Sequence, residues 1–436
     1  MEPITIGIIV VLALLSLLTI GVPVGLAMSG VSLAGMAIFV SDSFMMTTAK
    51  TLPFAVSSNY AYVVVPMFIL MGTLTAVTGT TSELYTAAHR WTSGMRGGLY
   101  FATTLAAGGF GAINGSTVVS SSLFTRIALP EMLRFGYPKT FSAGCIAASG
   151  TFAALIPPSL AMVIYGLLTN ESVGRLLMAG LLPGLLTIAI YFVGIAILVR
   201  FGKDVAPMHR EKFTLKEKMQ SLRGLWAILI LVVIVMGGIY SGVMFPSAAG
   251  AAGAGGALLI GLIRWRLSGQ SLWQALIDTL ITTGVLFLII IGGLFLSRLL
   301  LVTGFVREIS SIVTEEGISP VFFIVALVAI YIVLGMFLDG VSMMVMTIPF
   351  IYPVAMSLGM DPIWFAVLVI KLVEIGAITP PVGLNLFAVI AASDGKINSR
   401  LVFRGILPFL VLEIITLSLI IAFPAISTWL PNMMYG

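Results

Sequence analysis

Charge is what this sequence lacks. Only 9% of its 436 residues are Asp, Glu, Lys or Arg, against about 25% in a typical soluble domain. Hydrophobic residues make up 59% and the mean hydropathy is +1.15, which excludes an ordinary soluble domain. Cysteine is nearly absent too. Cys145 stands alone, so no disulfide forms within the chain and no thiolate metal cluster is available. The two histidines, His89 and His209, lie in charged segments outside the apolar runs. Neither HExxH, nor Walker A, nor a Cys-His cluster occurs. An enzyme working inside a membrane needs a nucleophile and a base, and no intramembrane His or Ser-Lys couple supplies them. The chain is therefore read as a non-enzyme. GAAGAGG at 250–256 follows no strand, so it reads as close helix packing rather than a nucleotide loop.

What remains is a polytopic, all-helical membrane protein, since the apolar runs reach about 20 residues rather than alternating in strands of about 10. The opening MEPITIGIIVVLALL has no basic n-region and reads as a first span. Residues 4–40 break at Gly21-Val22-Pro23 and form one kinked or two short spans, two being favoured. Plain spans follow at 60–78, 174–200, 224–242, 245–264, 279–301 and 401–424. Residues 80–97 and 303–317 are polar and suit the membrane interface. Four apolar segments are interrupted: 98–135 at GAINGST, 140–168 at Pro157-Pro158, 318–358 at LDGVS, and 362–392 at Pro380-Pro381.

The net charge of +5 orients the chain rather than marking a nucleic-acid partner, because its Lys and Arg sit in short loops. Arg90, Arg96, Arg134, Lys139, the basic stretch 200–223, Arg264, Arg266, Lys396, Arg400 and Arg404 mark one side; Glu315, Glu316 and Asp361 mark the other. These marks agree only if 98–135 and 318–358 are re-entrant hairpins. The first then opens to the cytoplasm and the second to the outside.

The interruptions are duplicated. An offset of 223 places Pro130 on Pro353, Gly136 on Gly359, and Pro157-Pro158 on Pro380-Pro381. An offset of 225 places Val77-Thr78-Gly79 on Val302-Thr303-Gly304, Gly180 on Gly405 and Pro183 on Pro408. With the orientation above, the expectation is two inverted repeats, the plan of secondary transporters, in which paired Gly/Pro breaks point to a midplane site. The organisation expected is N-terminal scaffold helices over 1–59, repeat 1 over 60–200, a cytoplasmic basic loop over 201–223, scaffold spans over 224–284, repeat 2 over 285–424 and a C-terminal tail over 425–436. A purely structural membrane subunit is disfavoured, because paired breaks cost stability without a scaffold role.

Four interruptions should converge. Hydroxyl, amide and carbonyl oxygens suit a hard cation such as Na⁺, and no soft ligand is present. The candidate Na⁺ positions are Asn114, Gly115, Ser116, Pro157, Gly340, Thr379, Pro380 and Gly383; the candidate substrate positions are Ser116, Thr117, Ser159, Asp339, Ser342 and Asn385. Each has a plainer reading. Asn114, Ser116 and Asp339 can cap a returning helix, and Ser159 and Asn385 can be interhelical hydrogen-bond glue. Glu374, three residues after Lys371, suits a structural ion pair as well as a coupling role. Arg126 and Arg298 read as snorkelling or paired side chains.

The stretch from GAINGSTVVSSS through GTFAALIPPSLAM to LLPGLL (111–186), LGMFLDGVSMMVMTIPFIYPV (334–354) and EIGAITPPVGLNLF (374–387) resembles the large membrane subunit of TRAP transporters, the DctM-like family. The opening LLTIGVPVGLAMSG is similar as well, so the resemblance covers essentially the whole chain. It implies a bacterial or archaeal inner-membrane permease, driven by Na⁺ and working by an elevator motion. It further implies delivery of a carboxylate by a periplasmic binding protein, and a separate small membrane subunit of four helices. No organic cofactor is implied. The rival reading is a stand-alone Na⁺-coupled carboxylate symporter of a related inverted-repeat family.

Overall fold

The computed structural model describes residues 1–202, 205–207 and 211–435. Part of the basic 201–223 loop, His209 included, lies outside the described residues. Among the described residues the regular structure is all helical. In chain order the helices are α1 Pro3–Thr19, α2 Val24–Phe39, α3 Asp42–Ser57, α4 Tyr60–Val77, α5 Thr80–Thr92, α6 Gly98–Asn114, α7 Thr117–Arg134, α8 Lys139–Ser149, α9 Leu160–Thr169, α10 Val173–Phe201 and α11 Leu215–Tyr240. They continue with α12 Pro246–Ile263, α13 Gly269–Val302, α14 Phe305–Glu315, α15 Pro320–Gly335, α16 Gly340–Ser357, α17 Pro362–Ala377, α18 Leu384–Ala392, α19 Ser399–Ala422 and α20 Ala425–Tyr435. Seven of these, α4, α10, α11, α12, α13, α16 and α19, are long and apolar enough to cross a membrane, so the protein is multi-pass.

The opening 4–40 segment is two helices, with Pro23 at the start of the second. The spans at 174–200 and 401–424 match α10 and α19 within two residues at each end. The span at 279–301 starts earlier than its apolar run, because Ser268 and Ser271 form a capping box that launches the 34-residue α13. Two elements are additions to the sequence reading. Helix α3 fills 42–57, opened by the Ser41 side chain accepting from Phe44 N. Within the expected 425–436 tail, Ala425–Tyr435 form the helix α20, which packs on α10 and α17.

Both Pro-Pro sites break a helix as expected. Helix α8 tightens into a 3₁₀ turn over Gly150–Ala154 and stops; the chain resumes as α9 once Ser159 caps it. Helix α17 stops at Ala377 and α18 resumes after Gly383, whose φ of +58° favours glycine. Both Pro-Pro bonds are cis.

The core has two apolar clusters. One contains Phe68, Tyr165, Phe295, Tyr331 and Phe365, from α4, α9, α13, α15 and α17. The other contains Tyr100, Phe110, Phe124, Phe152, Tyr191 and Phe409, from α6, α7, the first break, α10 and α19. Helix α2 runs along α13, and α12 along α4. The polar α5 is fastened to this frame by Glu83, which accepts from Arg264 Nη1 at 2.7 Å and Arg266 Nη1 at 2.6 Å.

Candidate functional site

Helices α6 and α7 meet at a tip of two non-helical residues, Gly115 and Ser116. Gly115 ends α6 with φ +63°, a value open to glycine at little cost. A Cβ there would stand 2.9 Å from Leu160 N and 3.4 Å from Pro158 O, so the tip rests against the first Pro-Pro break. Asn114 folds back to donate from Nδ2 to Ser116 O at 3.1 Å, and Ser116 Oγ accepts from Val119 N at 3.5 Å. The second tip follows the same chemistry. Asp339 Oδ1 accepts from Val341 N and Ser342 N, each at 3.0 Å, and its other oxygen accepts from the Ser342 hydroxyl. This tip also rests on its break, with Gly383 N donating to Met336 O at 3.2 Å.

The two tips open into one cavity of about 520 Å³. Asn114, Gly115, Ser116 and Thr117 line it from the first hairpin and Asp339, Gly340 and Val341 from the second. Ala154, Leu160 and Ala161 contribute from the first break, and Val373, Glu374 and Ala377 from α17. The facing wall is α4 and α13, through Gly72, Thr73, Asp278 and Thr282. The wall is held together by the Thr73 and Thr279 hydroxyls, 3.1 Å apart. Gly72 lets it approach closely: a Cβ there would lie 2.9 Å from Asn114 Oδ1. The charged side chains lining this cavity among the described residues are Asp278, Asp339 and Glu374, all acidic.

The remaining sequence candidates stand off the cavity. Ser159 is buried beside it, its hydroxyl donating to Ala154 O and accepting from Met162 N at 3.2 Å. Ser342 is buried behind Asp339. Pro157, Thr379, Pro380 and Gly383 form the breaks themselves, with Thr379 Oγ1 donating to Ile375 O at 2.7 Å. Asn385 is fully buried, and among the described residues neither polar atom of its amide has a partner. The oxygens at the tips and the orphaned amide are hard donors that fit an alkali cation.

A buried ionic cluster lies behind the cavity. Lys371 Nζ donates to Glu374 Oε2 at 2.9 Å and to Thr187 Oγ1 at 3.3 Å, and it also pairs with Glu413 Oε2. Tyr191 OH donates to Glu413 Oε1 at 2.6 Å. Sequence reasoning found the Lys371–Glu374 pair but missed Glu413, the one acidic residue in the last span, as well as Gly72, Thr73 and Asp278. An acidic residue alone in an apolar span was the available signal for Glu413.

The family description "Tripartite ATP-independent periplasmic transporter, DctM component" matches residues 10–426. The chain is 33% identical over 397 residues, 91% of each chain, to the C4-dicarboxylate TRAP transporter large permease protein DctM of Pseudomonas aeruginosa. It is 30% identical over 430 residues to the sialic acid TRAP transporter permease protein SiaT of Haemophilus influenzae, covering 98% of this chain and 68% of that one. Among solved structures, the Alcanivorax borkumensis YdaH transporter superposes with a TM-score of 0.62 at 12% identity, over 94% of this chain and 98% of that one. That likeness bears on fold alone. The chain thus belongs to the DctM family, the large permease component of tripartite ATP-independent periplasmic transporters.

Proposed function

We propose that the chain is the large permease subunit of a Na⁺-coupled importer of an organic acid in the inner membrane. A periplasmic binding protein delivers the acid, and a small four-helix membrane subunit completes the complex. C4-dicarboxylate and sialic acid, the cargoes in the relatives' names, set the chemical class. The observation that carries this reading is the single cavity between two hairpin tips whose charged lining is all acidic. An organic anion entering beside Asp278 and Asp339 meets like charge, which favours cations entering with it. Asn114, Gly115, Ser116 and Gly340 line the cavity and are the first candidates for the ion; the carbonyls around Pro157, Thr379, Pro380 and Gly383, with the orphaned Asn385 amide, are the second. Ser116, Thr117 and Asp339 face the acid, Ser342 positions Asp339, and Ser159 shapes the break.

In this reading residues 60–200 and 285–424 are inverted repeats. Helices α6–α7 and α15–α16 are re-entrant hairpins that travel with the broken helices, elevator fashion, against α4 and α13. The capped tips and the paired breaks support it. The test takes the binding protein encoded beside this chain and screens acids by thermal shift. Uptake of the best ligand into proteoliposomes is then followed with and without that protein. Uptake that needs the binding protein is expected; equal uptake without it would make the chain a stand-alone symporter.

A further inference from the structure

The Lys371–Glu374–Glu413 cluster does not balance its charge. One ammonium faces two carboxylates, and all three side chains are 0% exposed. Lys371 is shared between both acids, and Tyr191 satisfies the remaining oxygen of Glu413. Among the described residues Glu374 Oε1 is buried with no partner of any kind, while Glu413 Oε2 has only its ion pair with Lys371. Glu374 is also the member of the cluster that lines the cavity. An unpartnered, desolvated carboxylate oxygen is costly as an anion and inexpensive once it carries a proton.

We propose that Glu374 is a proton-binding site that exchanges with the cavity. The step is simple association: a proton from hydronium in the cavity adds to Oε1 when side-chain motion uncovers the carboxylate, which is 0% exposed at rest, and cavity water takes it back by the same route. The other titratable groups around it are Lys371 on its own helix, Glu413 on α19, Tyr191 on α10, Cys145 on α8 beyond Tyr191, and Asp339 and Asp278 across the cavity. Among the described residues no Arg or His lines the cavity to supply the missing positive charge. The site goes beyond Na⁺-driven uptake of an acid; only its consequence, a proton moving in the transport cycle, rests on that reading.

The test is pH-difference infrared spectroscopy on the full chain in lipid vesicles, in choline buffer and in Na⁺ buffer. The wild type is expected to show a carboxylic-acid carbonyl band at neutral pH in both buffers, fading as the pH rises. Glu374→Gln loses the band. Glu413→Gln loses it as well, because Glu374 then balances Lys371 one to one; Glu374→Asp, which keeps an acid but moves it, shifts the band in frequency, whereas a band of unchanged frequency would place the proton on Glu413 and overturn the proposal. Tyr191→Phe keeps it. No band in the wild type, or an undiminished band in both Gln variants, overturns the proposal. A band abolished by Na⁺ but not by choline also overturns it, and assigns the charge to Na⁺. The spectra need no substrate, so failure of Na⁺-driven uptake would leave this result standing.

Discussion

Ser116 and Asp339 hold equivalent posts. Each caps a helix that starts at a hairpin tip, and each does so at the edge of the same cavity. Capping and transport can therefore be separated by size of effect. Losing the Ser116 cap should cost about 1 kcal/mol of stability, whereas a lost ion ligand should weaken Na⁺ dependence by about tenfold or more, the equivalent of 1.4 kcal/mol per decade. We predict that Ser116→Ala and Asn114→Ala raise the Na⁺ concentration for half-maximal uptake at nearly wild-type expression. An unchanged Na⁺ titration in vesicles removes those side chains from the site. Gly72→Leu should stop uptake and lower the thermal midpoint, because even its Cβ would stand 2.9 Å from Asn114 Oδ1 and 3.2 Å from Asn114 Cα. Asn114, Ser116 and Asp339 were legible in sequence, since polar residues and glycine inside apolar runs mark interruptions. Glu413 stood out as the lone acid of its span, but its pairing with Lys371 was not legible, because no local spacing joins the two.

At the scale of elements, small residues let the broken helices pack. Gly335 of α15 and Gly376 of α17 meet backbone to backbone: a Cβ on Gly335 would lie 2.3 Å from the Gly376 Cα. Gly335→Val must push the second hairpin off its break, at a cost of about 1–3 kcal/mol or more, read as a lower thermal midpoint. Helix α5 carries a pH dependence of its own. His89 lies under Phe135 and Phe213, and burial pushes its imidazole below the ordinary value of 6.5; Arg90 acts the same way, while Glu211 and Glu131 oppose. The unfolded chain therefore binds the proton first. The stability from burying neutral His89 is present above pH 6.5 and is lost as the pH falls through the folded value. The protection of α5 amides, relative to their intrinsic exchange rate, should fall on the acid side, and His89→Gln should flatten that change. The breaks and plain spans were legible because proline and hydropathy act locally. Helices α3 and α20 were not: α3 is only moderately apolar with Pro53 inside it, and α20 is held by α10 and α17.

For the molecule as a whole, the proposed motion separates the first hairpin from the wall formed by α4 and α13. The two touch where Gly72 faces Asn114. Cys145 is the only native thiol and is buried, so a Gly72→Cys/Asn114→Cys pair adds two thiols with no exposed competitor. Oxidative cross-linking should arrest uptake, and reductant return it to the level of the never-oxidised double variant measured at saturating Na⁺; equal uptake by cross-linked and reduced protein would rule the separation out. The pairing of the two Pro-Pro breaks was visible in sequence because glycine and proline punctuate both halves at nearly one offset. The cavity was not, since its wall is built from ordinary apolar residues of α4 and α13 with Thr73 and Asp278 among them. The central claim is that Na⁺ drives an organic acid through this cavity. Its most direct measurement is uptake of the acid by vesicles holding the assembled complex, with an inward Na⁺ gradient or an equal choline gradient. Accumulation above equilibrium with Na⁺ and none with choline is the predicted result; equal accumulation in both would contradict the account.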